Sequence, residues 1–211
     1  MGSPRRRSRR RFAARAGTFV GDRMGLLAAA AATVVAVAGC SGPLSGTPAT
    51  GGGSVESSAP ALPPRPQVVD LAGVDPCSLL TEQQQLELGT DLPPTLVDAD
   101  RYGNPRCDFR KLERPAYGYR MGPVTQEDVS VYLTGARQST GEVVSAAGFP
   151  AVAHRLPGDE RACFASVSTK QGQYLTVLYS EGSGTEDPPA VVCEKARVAA
   201  AMATQTLLAR R

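Results

Sequence analysis

Cys40 is the residue whose neighbours best define its chemistry. It ends the run Val37-Ala38-Gly39-Cys40, directly after an apolar stretch from Met24 to Ala38. The small side chains of Ala38 and Gly39 suit a narrow peptidase cleft, and the Cys40 thiol can carry a diacylglyceryl group through a thioether bond. The pattern predicts a lipobox, with lipid attachment at Cys40 and cleavage just before it. A chance cysteine after a simple signal peptide is the alternative.

Residues 1–39 are predicted to be a lipoprotein signal peptide. The apolar stretch has roughly 15 residues, fewer than the about 20 that span a bilayer, so it is typical of the apolar region of a signal peptide. The preceding Ser8-Arg9-Arg10-Arg11-Phe12 resembles a twin-arginine export signal. An ordinary secretory signal, or a true start nearer Met24, are the alternatives.

The positive charge of the chain belongs to this leader. The first 39 residues hold eight of the 23 basic residues and one of the 20 acidic residues. The remainder therefore has 15 basic and 19 acidic side chains. The basic balance of the whole chain gives no support to nucleic-acid binding, and no nucleic-acid partner is expected.

Residues 40–67 are predicted to be a disordered tether that begins at the lipidated cysteine. The segment is rich in Gly, Ser, Thr, Pro and Ala and has only two charges, Glu56 and Arg65. Such a composition buries too little apolar surface to offset the entropy lost on ordering. Treated as a flexible coil, its ends lie roughly 30 Å apart. Two acyl chains anchor stably, so we expect a single domain, 68–211, at the outer face of the cytoplasmic membrane.

Four further cysteines fit an exported domain. Two disulfides among Cys77, Cys107, Cys163 and Cys193 are the expected arrangement. Metal binding is the competing interpretation, but there is no C-x-x-C pair and His154 is the single histidine. No metal and no cofactor are predicted.

The predicted fold is α+β. Asp75-Pro76 and Thr81-Glu82-Gln83-Gln84 are helix-start signals that lead to a stop at Gly89. Asp187 and Pro188 are predicted to open a last helix, with Asp187 as its cap. Its apolar face combines Val192, Ala196, Ala199, Ala203 and Leu207.

Strand-like alternation fills the region between the helices. Strands are predicted around Cys107–Phe109, over 129–133, and at Glu142–Ala146, Ala151–Leu156, Ala162–Ser168 and Gln173–Ser180, the last two as a hairpin. Residues 90–100 are predicted to be loop. Short links favour an antiparallel sheet of about five to six strands with both terminal helices packed on it.

Four cysteines allow three pairings, and their spacing does not choose among them. We favour Cys77–Cys107 and Cys163–Cys193, because each bond would tie a terminal helix to a strand that the helix covers.

No catalytic constellation is evident. The alternation places His154 on the polar side of a strand, as a surface or partly packed imidazole; a general base is the alternative. Glu127-Asp128, Asp159-Glu160 and Glu186-Asp187 are interpreted as solvated charges, and a glycosidase built from distant carboxylates is the alternative.

The segment Arg110–Arg120 is the most suggestive surface. It combines two tyrosines with several cations, residue types that are frequent where proteins recognise partners. Arg114, Tyr117, Tyr119 and Arg120 are the candidate contacts for an envelope partner or anionic headgroups. An ordinary long hairpin loop is the alternative.

Three landmarks together resemble a known family: the lipobox with its tether, the opening Asp75-Pro76-Cys77-Ser78-Leu79-Leu80-Thr81, and Asp187-Pro188 leading to Cys193. The chain is similar, over roughly 68–208, to actinobacterial putative lipoproteins grouped as a domain of unknown function. Phe109 stands where that family often has an aromatic residue. The resemblance implies a cell-envelope location and a disulfide-stabilised α+β fold, and it carries over no catalytic residues.

These observations favour a non-enzymatic module, membrane-anchored outside the cytoplasm, that binds a ligand or an envelope protein. The alternative is a cell-envelope enzyme that hydrolyses glycan, peptide or lipid without a histidine base.

Overall fold

Seven strands form one antiparallel sheet in the computed structural model, which describes residues 61–139 and 141–210. The order across the sheet is β1-β2-β3-β7-β6-β5-β4. Every neighbouring pair is antiparallel. The strands are β1 (Thr95–Val97), β2 (Arg106–Lys111), β3 (Tyr117–Val124), β4 (Gly141–Ala146), β5 (Phe149–His154), β6 (Ala162–Lys170) and β7 (Gln173–Glu181). Cys40, the predicted signal peptide and the predicted tether as far as residue 60 lie outside the described residues.

The C-terminal helix, α2 (Pro189–Ala209), covers β6 and β7 on one side of the sheet, here called the helix face. All five residues predicted to form its apolar face are buried. The disulfide Cys163–Cys193 joins α2 to β6, as helix and strand placement favoured. A loop of 30 residues closed in this way stabilises a fold by about 3–4 kcal/mol in the chain-entropy description. No helix among the described residues is long and apolar enough to cross a membrane.

A short N-terminal helix packs on the same face through its ends. Helix α1 (Glu82–Glu87) has the predicted capping box, in which Thr81 and Gln84 exchange hydrogen bonds. None of its own six residues is buried, and the buried leucines flank it instead: Leu79, Leu80 and Leu88. A 3₁₀ helix, Pro76–Ser78, precedes α1, capped as predicted by Asp75. The disulfide Cys77–Cys107 fastens this segment to β2.

The opposite side of the sheet, here called the open face, has a smaller apolar cluster. Val124, Val129, Val152 and Tyr174 are buried there. A second 3₁₀ helix, Val129–Tyr132, lies over this cluster. The helix face therefore holds the main core, and the open face is covered only in part.

The predicted strand over 129–133 is wrong. Asp128 accepts a hydrogen bond from the Ser130 backbone N–H and starts a helical turn. In a 3₁₀ helix, residues i and i+3 lie on the same side. Val129 and Tyr132 can both face the sheet in this way, so their spacing does not require a strand.

The sheet has seven strands instead of five to six, because two strands lie where loop was expected. β1 has only three residues, two of them exposed, so it is too short to show an alternating pattern of apolar and polar residues. β3 contains Gly118, Gly122 and Pro123, residue types that are depleted in strands. These residues explain why β3 is not predicted from the sequence, although it pairs with a strand on each side.

The ordered chain begins earlier than Val68, which corrects the predicted boundary of the tether. Leu62 packs against the apolar cluster of the open face. Arg65 donates a hydrogen bond of 2.7 Å from Nη1 to Ser168 Oγ. Val69 N–H then donates to the Thr169 carbonyl at the tip of the β6–β7 hairpin. These contacts favour an ordered conformation of residues 62–69 and oppose the loss of chain entropy. Composition alone predicts that residues up to 67 are disordered.

The start of α2 also differs from expectation. The N-cap position is Pro188, and no side chain accepts a capping hydrogen bond there. Asp187 instead forms an ion pair with Lys195, two turns into the helix. The proline is tolerated because the first turn of a helix has no use for its missing N–H.

Candidate functional site

A groove runs over the open face of the sheet. Two cavities of about 370 and 540 Å³ form it, and they share Asp100, Arg106, Tyr132, Phe164 and Tyr174 as lining residues. We call them together the open-face groove. Its floor comes from β6 and β7, and its walls from residues 98–106 and 132–139. Each volume lies in the range of roughly 300–1,000 Å³ that is usual for small-molecule sites.

Three rings form an aromatic stack at the floor of the groove. Tyr132 lies on His154 with ring centroids 3.7 Å apart, and His154 lies parallel to Phe164 at 4.8 Å. His154 and Phe164 are directly opposite in the β5–β6 register, which sets their spacing. Phe164 is partly exposed and lines both cavities. It therefore offers a ring surface to a ligand.

His154 is buried, which corrects the expectation of a surface or partly packed imidazole. It does lie on the side of β5 away from the main core, but it is only 4% exposed. Nε2 lies 3.2 Å from Ser166 Oγ, and Ser166 donates to Thr176 Oγ1 at 3.3 Å. Nδ1 is buried and has no hydrogen-bond partner among the described residues. Burial lowers the pKa of His154 to about 4, so the ring is neutral at pH 7.

Each of three arginines lining the groove has a carboxylate partner. Arg106 Nη2 lies 2.5 Å from Asp100 Oδ2. Arg120 grips both oxygens of Asp108, at 2.6 and 3.0 Å. Burial opposes the ionisation of Asp100, but hydrogen bonds from Asn104, Arg106 and the Tyr102 N–H lower its pKa to about 2. The Asp100 carboxylate that faces Arg106 is thus ionised at neutral pH.

The third arginine belongs to a network of hydroxyl groups. Arg137 forms an ion pair with Glu127. Tyr174 Oη donates to the other oxygen of Glu127 at 2.6 Å and lies 3.0 Å from Tyr132 Oη. Burial, together with these hydrogen bonds, raises the pKa of Tyr174, so its hydroxyl keeps its proton. Polar atoms that both donate and accept therefore stand next to the aromatic stack.

The structure separates the four residues of the predicted partner surface. Arg114 is exposed in the loop between β2 and β3. Tyr117 and Tyr119 belong to β3 and face α2, where Tyr119 is only 4% exposed and belongs to the core. Arg120 points to the other side of the same strand and lines the open-face groove. Because successive side chains of a strand alternate between faces, these residues cannot form one surface.

Tyr117 and Tyr119 instead line a cavity of about 350 Å³ between β3 and α2, here called the tyrosine pocket. Their rings cluster with that of Tyr179, at centroid distances of 5.1 to 6.0 Å. The Lys195 ammonium lies 5.2 Å from the Tyr179 ring centroid and 5.7 Å from that of Tyr117. Tyr117 Oη donates to the Leu88 carbonyl at 2.8 Å. The tyrosines thus join α1, β3 and α2.

His154 and Ser166 are residue types that act as base and nucleophile in some enzymes, but their burial does not fit that role here. Ser166 is fully buried, so its Oγ is out of reach of a substrate. The described residues contain no group of three His, Cys, Asp or Glu side chains that could hold a metal ion. The groove offers a partly exposed aromatic ring and several hydrogen-bonding groups to a ligand.

Most residues of the groove were not singled out from the sequence. Asp100 and Arg106 come from one stretch, Tyr132, Phe164 and Tyr174 come from three others, and no sequence motif relates the four stretches. Two signals were present. His154 is the single histidine of the chain, and the alternation in β6 and β7 separates the side chains of the open face from those of the core.

The family of this chain follows from a comparison of sequences. No curated protein and no solved structure matches the chain. A family model described as "Protein of unknown function (DUF3558)" matches residues 35–206. Since this match covers most of the chain, including every strand of the sheet and nearly all of α2, the chain belongs to the DUF3558 family of proteins of unknown function.

Proposed function

We propose that this protein is a lipid-anchored, extracytoplasmic binding protein that holds a small ligand in the open-face groove. The observation that carries the proposal is the groove itself: two cavities that share a partly exposed aromatic ring and paired charged groups. A concave surface with rings and a few convergent polar groups is typical of ligand sites. The proposed activity is binding without chemistry, because each of the groove arginines 106, 120 and 137 engages a carboxylate.

The anchor rests on the lipobox at Cys40 and on the cysteines of the domain. The family match begins at residue 35, so the lipobox lies within the part that the family model describes. Two disulfides are consistent with folding outside the cytoplasm, where disulfides persist. The proposed site of the domain is the outer face of the cytoplasmic membrane.

Replacement of the lipidated cysteine tests the anchor. We expect the full chain to be labelled by a fatty-acid probe and to sediment with membranes. Cys40→Ala should lose both the label and the membrane association. A wild-type protein that stays unlabelled, soluble and reduced inside the cell would contradict the proposed anchor.

Blocking the groove tests the binding function. Leu178 lies at the floor of the groove, partly exposed, and Leu178→Trp is expected to fill the smaller cavity. Mass spectrometry of the protein purified from its own membranes should find a bound small molecule in the wild type and none in Leu178→Trp. Tyr117→Ala, on the other face, is the matched control and should retain the molecule.

The binding proposal fails on a clear outcome. If no small molecule accompanies the wild type, and none of a fragment library shifts the NMR resonances of groove residues, the groove is not a ligand site.

A further inference from the structure

We propose that the open-face groove binds a neutral, hydroxyl-rich ligand, namely a saccharide. This inference rests on the proposed binding function of the same groove and specifies its ligand class. Two independent features of the groove lead to it: the charge pairing of its walls and a partly exposed aromatic ring.

The walls are charged but locally neutral. Arg106, Arg120 and Arg137 each contact a carboxylate, at Asp100, Asp108 and Glu127. An anionic ligand that binds one of these three arginines would compete with its carboxylate, and a cationic ligand that binds one of these carboxylates would compete with its arginine. A hydroxyl group can accept from a guanidinium N–H and donate to a neighbouring carboxylate at the same time, leaving both charges paired.

Arg101 is the groove arginine that has no carboxylate partner among the described residues. It lies over the ring of Tyr102 with its guanidinium carbon 4.7 Å from the ring centroid. The hydroxyl of Tyr102 accepts a hydrogen bond from Arg137 at 3.1 Å. A single exposed guanidinium against an aromatic ring is a weak anion site compared with a cluster of free arginines.

The exposed ring supplies the apolar part of the recognition. Phe164 lines both cavities, with Leu178 beside it in the smaller one. A sugar ring has a face of C–H groups that lies well on an aromatic ring, while its hydroxyl groups point outward to polar neighbours. The two cavities leave room for a ligand of more than one sugar ring.

A glycan array tests the ligand class. The disulfide-bonded protein, with Cys40→Ala for solubility, is applied to neutral, phosphorylated and carboxylated oligosaccharides. We expect binding to neutral glycans, and at least a tenfold lower affinity in Phe164→Ala. Tyr117→Ala truncates a partly buried aromatic residue on the other face and should bind as the wild type does.

Two outcomes would overturn the saccharide proposal. One is binding to acidic glycans alone, and the other is no binding to any neutral glycan. If the neutral glycans fail while mass spectrometry finds another molecule in the groove, the ligand class is wrong but the binding function stands. If both experiments are negative, the binding function fails as well.

A change of charge in the wall gives a second, independent readout with inorganic phosphate as the probe. Asp108→Asn removes the carboxylate that Arg120 grips and keeps the shape of the side chain. We expect phosphate binding to be absent in the wild type and to appear at millimolar concentration in Asp108→Asn. Asp70→Asn breaks the exposed ion pair with Lys170 outside the groove and should gain nothing. Phosphate binding by the wild type would overturn the proposal.

Discussion

At the scale of single residues, His154 shows how burial changes the role of a side chain. The alternation of β5 assigns it to the side away from the main core, where a solvated imidazole was expected. Tyr132 covers it in the folded protein, and its ring lies parallel to that of Phe164. The ring is therefore a neutral part of the groove floor and not an exposed base.

This burial predicts a pH dependence of stability. The pKa of His154 is lowered from 6.5 to about 4 in the folded state, so the unfolded chain binds more protons between these values. The free energy of unfolding should therefore fall as the pH drops from about 6.5 to about 4, by about 3 kcal/mol from this group. Urea unfolding across pH 4 to 7.5 measures the loss.

His154→Phe is the matched variant for this prediction. It keeps an aromatic ring between Tyr132 and Phe164 but cannot be protonated. The carboxylates with lowered pKa, such as Asp100 and Asp128, contribute equally to both proteins. The variant should lack the part of the loss that His154 contributes between pH 6.5 and 4, about 3 kcal/mol. Parallel profiles for the two proteins would contradict a buried neutral His154.

At the scale of elements, β3 organises both sites. It pairs with β2 on one side and β7 on the other. Its alternation sends Tyr117 and Tyr119 to the tyrosine pocket and Arg120 to the open-face groove. The glycines of β3 make the strand hard to predict from the sequence. At least one of them, Gly122, is needed because there is no room for a side chain. A Cβ at Gly122 would lie 2.2 Å from the carbonyl oxygen of Pro105.

The close approach at Gly122 predicts a large effect of a single methyl group. Gly122→Ala must push β2 away from β3, because the obstacle is a backbone atom. We expect a loss of about 2–4 kcal/mol in the free energy of unfolding, measured by urea denaturation.

Gly118→Ala is the control on the same face of the same strand. There the new Cβ meets the Arg110 Cγ at 3.3 Å, and that flexible side chain can move aside. Its expected cost is below about 1 kcal/mol. Equal effects of the two substitutions would show that the spacing at Pro105 is not the cause.

At the scale of the whole molecule, the end of the tether is part of the domain. Leu62 packs on the open-face cluster and Arg65 binds Ser168, after which the chain passes the tip of the β6–β7 hairpin. Leu71 then enters the core of the helix face. The chain thus reaches the domain on the side of the groove and continues to the opposite face of the sheet.

These contacts predict that the tether contributes to stability. Leu62→Ser combined with Arg65→Ala should lower the free energy of unfolding by about 1–2 kcal/mol, from lost apolar burial and one hydrogen bond. Urea denaturation of the full chain measures it. Leu112→Ser, at a leucine that is 71% exposed, serves as control and should have little effect. No difference between the two would place the start of the folded domain after Arg65.

Elements with local signals could be predicted from the sequence. The capping box at Thr81 and Gln84, the buried stripe of α2 and the β6–β7 hairpin depend on neighbours three or four residues away, or on simple alternation. The pairing of Cys77 with Cys107 and of Cys163 with Cys193 followed from placing helices against strands. Motifs along the chain also predicted that the protein belongs to a family of unknown function, and the family match confirms it.

The position and lining of the groove could not be predicted from the sequence. Its residues come from distant stretches, and which of them meet depends on strand order and on the partial cover over β5 to β7. The interpretation of 129–133 as a strand is wrong because a 3₁₀ turn also places Val129 and Tyr132 on one side. The segment Arg110–Arg120 does not form one surface, because Tyr119 and Arg120 lie on opposite faces of β3. The alternation of residues along a strand predicts that neighbouring side chains lie on opposite faces of the sheet. Only the packed structure shows that a helix covers one face and that cavities lie on the other.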